Sequence, residues 1–255
     1  MPRCDDRGRC PRRGRDTPAS TLAQWEEQRT GRAAIVYDIG NGRVLRRYRS
    51  VEGRDRDPHD LVREADAMRW VRRHGVAVPE VFDVDGSDLV MERIEGRSLL
   101  DGLATKPHRL PAAGRVLADF HRQLDAVPAP DFLPCTYPTD VAEVPVGVVH
   151  GDLHPDNVIQ SPDGPVLIDW TNACAGDRGA DLAQTWIILQ HLGLPDRRAI
   201  RVVETVARRI LLHTFLSGVD RARAASWLGR VATARLDDPN MKAAERERLR
   251  VVSGR

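Results

Sequence analysis

The stretch that decides the reading of this chain is HGDLHPDNVIQSPDGPVLIDW, residues 150–170. Two short apolar runs, Val158 to Gln160 and Val166 to Ile168, flank Ser161-Pro162-Asp163-Gly164, a cluster of turn formers. That pattern predicts an antiparallel hairpin. Antiparallel pairing brings the two ends of a hairpin together. Asn157 at its entry and Asp169 at its exit are therefore expected side by side, with Asp152 close by.

Three oxygen-bearing side chains gathered in this way suit phosphoryl transfer. In that chemistry the protein mainly positions reactants and neutralises charge, holding Mg²⁺ through one or two hard oxygen ligands while the metal keeps waters and phosphates. Asn157 and Asp169 fit as the metal ligands. A carboxylate that binds no metal must orient the attacking hydroxyl and accept its proton, and Asp152 fits that role. A closed metallohydrolase site built on His150, Asp152 and His154 is the competing reading. It calls for further nitrogen or carboxylate ligands, and no second such cluster occurs in the sequence.

An Asp, an Asn five residues later and an Asp opening the next motif follow the order and spacing of protein kinases. Gly151 stands where kinases carry arginine, and Asp169-Trp170 stand for Asp-Phe-Gly. HGDLHPDNV followed by LIDW resembles the aminoglycoside phosphotransferase and choline kinase-like family of the protein-kinase-like superfamily. LADFHRQLDAVPAP from Leu117 resembles the helix and exit that such proteins place before the catalytic loop, and MERIEGRSL from Met91 resembles their interlobe linker. The resemblance spans about residues 30 to 190. It implies an α+β, two-lobed protein-kinase-like fold: a small antiparallel-sheet lobe with one helix, and a larger, mostly helical lobe. It also implies ATP or GTP as co-substrate. His154, where protein kinases carry a lysine, is expected to contact the transferred phosphate, and His150 to fix the loop through backbone hydrogen bonds.

Upstream, Ala33 to Asp38 and Arg43 to Arg49 read as strands around Gly40-Asn41-Gly42, a hairpin signal. The second of these strands corresponds to the one on which kinases carry a phosphate-gripping lysine. The chain's lysines are Lys106 and Lys242, so Arg46 is the candidate for the phosphate contact, with Arg47 as the alternative. No convincing glycine-rich loop precedes this strand; Thr30-Gly31-Arg32 is the one plausible turn. Asp57, Pro58 and Gly75 delimit a helix from about Pro58 to His74. Leu61, Ala65, Met68 and Val71 form its apolar stripe, and Glu64 lies on the same side. A carboxylate there needs a cationic partner, and the resemblance implies that Glu64 pairs with the phosphate-gripping base. Val76 to Val84 and Asp88 to Ile94 read as two more strands. The backbone of Met91, Glu92, Arg93 and Ile94 is the expected contact for the nucleotide base.

From Ser98 the pattern turns helical, with Ser98 and Asp101 as a capping pair. Leu110, Ala113, Val116, Leu117, Phe120 and Leu124 recur at helical spacing, so this stripe is core and His121 a helix histidine satisfied within it. A helix after Gly176-Asp177 carries Asp181 in its first turn, where it is expected to anchor the catalytic loop. Further helices are expected near 197–216, 220–234 and 241–251. The boundaries read as a tail over 1–18, a nucleotide-binding lobe over 19–95, and a lobe with the catalytic loop, metal site and acceptor site over 96–255.

A chain of 255 residues can hold one kinase-sized unit with a good core. With 39 basic against 37 acidic residues, the formal charge of +2 does not call for a nucleic-acid partner. The exception is the Arg-, Gly- and Pro-rich start, whose lack of apolar groups predicts a disordered tail. No apolar run approaches the length of a membrane span and no secretion signal is recognisable, so a cytoplasmic location is expected. Cys4, Cys10, Cys135 and Cys174 lack C-x-x-C spacing, and reduced thiols follow. The expected activity is transfer of the terminal phosphate of ATP or GTP to a hydroxyl of a small molecule, with Mg²⁺. A nucleotide-binding pseudokinase with a regulatory or scaffold role is the alternative, raised by the missing strand lysine. A nucleic-acid-associated role for the arginine-rich tail is a further competitor.

Overall fold

The computed structural model describes residues 26–30, 34–48, 58–137, 146–191 and 201–236. The architecture is α+β and protein-kinase-like, with an antiparallel sheet in the N-terminal region and helices dominating the C-terminal region. Two compact units form: residues up to Val62 with Val81–Arg93, and Arg63–Glu80 with Ile94 onward.

The first unit holds strands β1 (Glu26–Thr30), β2 (Ala34–Gly40), β3 (Arg43–Tyr48), β4 (Val81–Asp85) and β5 (Asp88–Glu92). They make one antiparallel sheet in the order β1-β2-β3-β5-β4. The β2–β3 turn is built on Asn41 and Gly42, both at positive φ (54° and 68°), as the Asn-Gly signal demands. Val44, Leu45, Tyr48 and Leu89 are buried on this sheet.

Helix α1 runs Pro58–Arg73, and Leu61, Ala65, Met68 and Val71 are buried along it. The expected strand from Val76 shortens to β4. Pro79 has no N–H to give a ladder, and the Ala77 carbonyl instead accepts the Leu167 amide at 2.9 Å. That bond ties the segment after α1 to the hairpin that ends at Leu167, within the second unit.

The second unit continues with β6 (Arg97–Ser98), α2 (Leu99–Thr105) and α3 (Leu110–Asp125). Ser98 caps α2, its hydroxyl accepting the Asp101 amide at 3.1 Å. The hairpin forms from β9 (Val158–Ser161) and β10 (Gly164–Leu167), with β6 as a third strand. Strands β7 (Cys135–Tyr137), β8 (Gly147–Val149) and β11 (Cys174–Gly176) make a small sheet in the order β7-β11-β8. Three-residue strands carry no periodicity, and the sequence gives no signal for them.

Helices α4 (Arg178–His191), α5 (Arg201–Ser217) and α6 (Arg221–Leu236) complete the described chain. Ala180, Ala183 and Ile187 pack with Trp227, Val231, Ala232 and Leu236 in one core. No described helix is long and apolar enough to cross a membrane. The turn at Thr30-Gly31-Arg32, the cap at Asp57, the tail over 1–18 and the helix near 241–251 lie wholly or partly outside the described residues.

Candidate active site

The loop that follows β8 starts at His150, and its backbone is held from behind by α4. Asp181, 2 % exposed, accepts the His150 amide on Oδ2 (3.1 Å) and the Gly151 amide on Oδ1 (2.9 Å). Gln184 donates to the Gly151 carbonyl at 2.7 Å, and the Thr185 hydroxyl to the Leu153 carbonyl at 2.9 Å. Thr185 has then spent its proton, so at its 2.9 Å contact with His121 Nε2 it must accept. His121 Nδ1 faces Asp181 Oδ2 at 3.7 Å, too far for a hydrogen bond. Burial lowers the His121 pKa to about 4 against the opposing pull of Asp125, so the ring is neutral near pH 7 despite its carboxylate neighbour. Burial also raises the Asp181 pKa, opposed by His150 and the two amides it receives.

Gly151 occupies the position of the kinase arginine for a steric reason. Its φ is +77°, and a Cβ there would lie 2.8 Å from the Asn172 carbonyl oxygen. His150 is fully buried, and both ring nitrogens are committed to backbone: Nε2 to the Ile168 carbonyl (3.1 Å), Nδ1 to the Asp152 amide (3.2 Å). Desolvation lowers its pKa, with Asp181, Asp152 and Asp169 acting against it. A neutral ring that donates from Nε2 and accepts on Nδ1 satisfies both bonds. His150 therefore has no lone pair left for a metal, which removes it from the metallohydrolase reading.

Asn157 sits at the end of a short 3₁₀ turn, Pro155–Asn157, that is capped by His154. Its Nδ2 lies 2.9 Å from the Asp152 carbonyl and 3.2 Å from Asp152 Oδ2. Both neighbours are acceptors, so the amide orientation is fixed and the Asn157 side-chain oxygen faces away from Asp152. The hairpin register pairs Val158 with Leu167, and the Ile168 amide donates to the Asn157 carbonyl at 2.9 Å. Asn157 thus lies across from the residue that precedes Asp169. Asp169 itself has φ +65°, a left-handed conformation that a non-glycine residue adopts at a cost of about 1–3 kcal/mol. Trp170 anchors the exit: it is fully buried, its ring edge-on to His150 with centroids 4.7 Å apart.

His154 Nδ1 accepts the Asp156 amide at 3.2 Å, which leaves the proton on Nε2, 3.5 Å from Asp152 Oδ2. Asp152 is held through that one oxygen. Among the described residues its Oδ1 has no hydrogen-bond partner, and the side chain is 31 % exposed. Glu64 is 2 % exposed, and each of its carboxylate oxygens lies 3.5 Å from the Thr171 hydroxyl. Asp152, His154, Asn157, Asp169, Glu64 and Ile94 all belong to the second unit.

Arg46, Arg47, Met91, Glu92 and Arg93 belong to the first unit. Arg47 grips the Asp88 carboxylate with two hydrogen bonds, one of them from Nε at 2.7 Å to Oδ1. The Arg46 guanidinium lies 4.8 Å from the centre of the Tyr48 ring. The Arg93 amide is used by the Gly42 carbonyl (2.9 Å), and its side chain pairs with Asp38 (2.9 Å). Sequence reading overlooked Thr171, Gln184 and Thr185. The last two had a signal, being polar positions inside the apolar run from Leu182 to Leu189.

The Asn157 side-chain oxygen and the Asp169 carboxylate are hard oxygen donors, which fit Mg²⁺. No cluster of three His, Cys, Asp or Glu side chains suited to a metal occurs among the described residues, so a closed nitrogen–sulfur site does not compete. The free cysteines Cys135 and Cys174 lie on paired strands, and burial pushes the Cys174 thiol up to about 11.

The model of the phosphotransferase enzyme family matches residues 29–144 and 138–225. The chain belongs to that family. A probable serine/threonine-protein kinase BUD32 homolog of Archaeoglobus fulgidus is 30 % identical over 129 residues, 50 % of this chain and 53 % of that protein. A probable bifunctional tRNA threonylcarbamoyladenosine biosynthesis protein of Methanoculleus marisnigri is 30 % identical over 160 residues, 59 % of this chain and 26 % of that protein. The chain spans about half or less of the length of these curated relatives. In fold it is similar to APH(2'')-IIa in its streptomycin–ATP ternary complex (TM-score 0.60, 12 % identity, 90 % of this chain and 91 % of that one). It is likewise similar to a choline/ethanolamine kinase family protein from Mesorhizobium loti (TM-score 0.57, 17 % identity, 89 % and 87 %).

Proposed function

We propose that this phosphotransferase-family chain moves the terminal phosphate of ATP or GTP to a hydroxyl group of a small molecule, with Mg²⁺ as the cation. The carrying observation is the Asp152 carboxylate, fixed by Asn157 through Oδ2 and unpartnered at Oδ1 among the described residues. A carboxylate held in that way is ready to accept one proton from one direction.

In the proposed reaction the acceptor oxygen attacks the terminal phosphorus, the bond from phosphorus to the bridging oxygen breaks, and the nucleoside diphosphate leaves. Asp152 Oδ1 takes the proton of the acceptor hydroxyl as the new bond forms. Asn157 keeps Asp152 aimed, and the neutral His150 keeps the loop backbone in place. When bound, Mg²⁺ would be held by the Asn157 side-chain oxygen and Asp169 and would neutralise charge on the donor phosphates. His154 Nε2–H is the proposed contact to the transferred phosphate. On the first unit, Arg46 is assigned the donor phosphates, because Arg47 is already bound to Asp88. The Met91–Ile94 backbone is assigned to meet the nucleobase, with the Arg93 amide excluded by its bond to Gly42.

The reading of a small acceptor is supported by the fold it shares with APH(2'')-IIa, whose complex holds streptomycin and ATP. A protein serine or threonine as acceptor is the second reading, favoured by the likeness to the Archaeoglobus kinase homolog. A screen of hydroxylated metabolites, antibiotics and Ser/Thr peptides for ADP or GDP release tests both. Turnover with a small molecule supports the first, and turnover with peptides alone supports the second. Nucleotide binding without any turnover would instead support a pseudokinase.

A further inference from the structure

We infer that Thr171 is a positioning residue that orients the Asp169 carboxylate beside Glu64 of helix α1; this rests on the proposal that Asp169 holds Mg²⁺. The Thr171 hydroxyl donates to Asp169 Oδ1 at 2.7 Å. The same oxygen lies 3.5 Å from each Glu64 carboxylate oxygen, so one hydroxyl stands between two carboxylates that are 105 residues apart in the chain.

The hydroxyl is placed by more than its own bonds. Thr171 and Asn172 are the central residues of a turn closed by the Ala173 amide on the Trp170 carbonyl at 3.0 Å. Trp170, fully buried, fixes one end of that turn. On the other side, Glu64 is 2 % exposed on a helix whose Ala65, Met68 and Val71 are equally buried, so its carboxylate has little room to move. Asp169 sits at φ +65°, where the backbone alone does not determine how its carboxylate points. The Thr171 hydroxyl, placed by that turn, contributes to that direction.

A hydroxyl has one proton, and the short bond to Asp169 holds it in this arrangement. The Glu64 oxygens, at 3.5 Å, border the hydroxyl but lie beyond the usual O–H···O range, so the proton stays directed at Asp169. Thr171 thus orients the carboxylate proposed to meet the cation. Groups that hydrogen-bond to a metal-binding carboxylate tune its affinity, and their removal typically costs about 10–100-fold in metal binding.

The test is calorimetric titration of ATP into the full chain at a series of Mg²⁺ concentrations, with thermal unfolding measured in parallel. Thr171→Val keeps the shape and removes the hydroxyl; Thr171→Ser keeps the hydroxyl. The half-saturating Mg²⁺ is expected to rise about tenfold in Thr171→Val and to return to within about twofold of wild type in Thr171→Ser. Metal-free ATP affinity is expected to be the same in all three. Equal Mg²⁺ dependence in wild type and Thr171→Val overturns the inference while leaving the proposed function standing. A parallel fall in metal-free ATP affinity and melting temperature, unrescued by serine, overturns it in favour of a structural role. ATP binding by wild type that ignores Mg²⁺ overturns both the inference and the assignment of Asp169 as a ligand.

Discussion

The Asn157 amide nitrogen touches Asp152 twice, at the backbone carbonyl (2.9 Å) and at Oδ2 (3.2 Å), so the proposed base and the proposed metal ligand are built as one piece. Their variants are expected to differ in kind. Asp152→Asn lowers kcat by about 10²–10⁴-fold and leaves the Mg²⁺ requirement of nucleotide binding unchanged. Asn157→Ala lowers kcat and also raises the Mg²⁺ needed, because it removes the ligand and loosens the base together. Steady-state kinetics at several Mg²⁺ concentrations distinguish the two; identical behaviour of both variants would contradict the division of roles.

Arg46 and Arg47 are adjacent, but successive side chains on a strand point to opposite faces. Arg47 is engaged by Asp88, whereas Arg46 is the assigned phosphate contact. Arg46→Met is expected to weaken ATP binding by about tenfold or more, the worth of one charge-assisted contact. Arg47→Met should leave nucleotide affinity within about twofold and lower the unfolding midpoint instead. The reverse pattern, read by calorimetry and denaturant titration, would move the assignment to Arg47.

Asp181 serves two buried amides with two different oxygens. Asp181→Ala orphans both and is expected to cost about 2–5 kcal/mol in urea unfolding. Asp181→Asn can satisfy one amide and sets its NH₂ against the other, so an intermediate loss is expected. A loss below about 0.5 kcal/mol in Asp181→Ala would mean that water or a shift of the loop replaces the carboxylate.

His121 gives the stability a defined pH dependence. Its folded pKa, about 4, is below the unfolded value of 6.5 because burial excludes the charged ring. Its contribution is complete above pH 6.5 and is lost progressively as the pH falls from 6.5 towards about 4, where the folded ring also becomes protonated. The gap amounts to on the order of 3 kcal/mol. The carboxylates of Asp181, which is buried, and of Asp125, which is partly exposed, are raised by desolvation and act in the opposite sense. The informative quantity is therefore the difference between wild type and His121→Gln, which keeps a donor for Thr185. That difference should narrow on acidification through this window; a constant difference would show that His121 is not buried neutral.

Much of this was legible in the residues. The hairpin around Pro162-Asp163 could be read because apolar runs and turn formers alternate there, and with it the meeting of Asn157 with the neighbour of Asp169. The Asn41-Gly42 turn and the Ser98 cap were readable for the same reason: local chemistry dictates them. The strand expected from Val76 failed because Ala77 pairs with Leu167, ninety residues away in sequence, and no local pattern encodes such a partner. Strands β7, β8 and β11 are too short to show a period. At the site, the reason for Gly151 appears only when Asn172 is seen beneath it. Thr171 gave no sign of its place between Asp169 and Glu64, since an exposed threonine after a tryptophan is unremarkable in sequence.

The most direct measurement is single-turnover transfer of the terminal phosphate of bound ATP to an acceptor found by the screen, in wild type and Asp152→Asn under saturating Mg²⁺. The account predicts equal ATP affinity in the two proteins and a rate at least about 100-fold slower in the variant. Transfer at the wild-type rate by Asp152→Asn would contradict it.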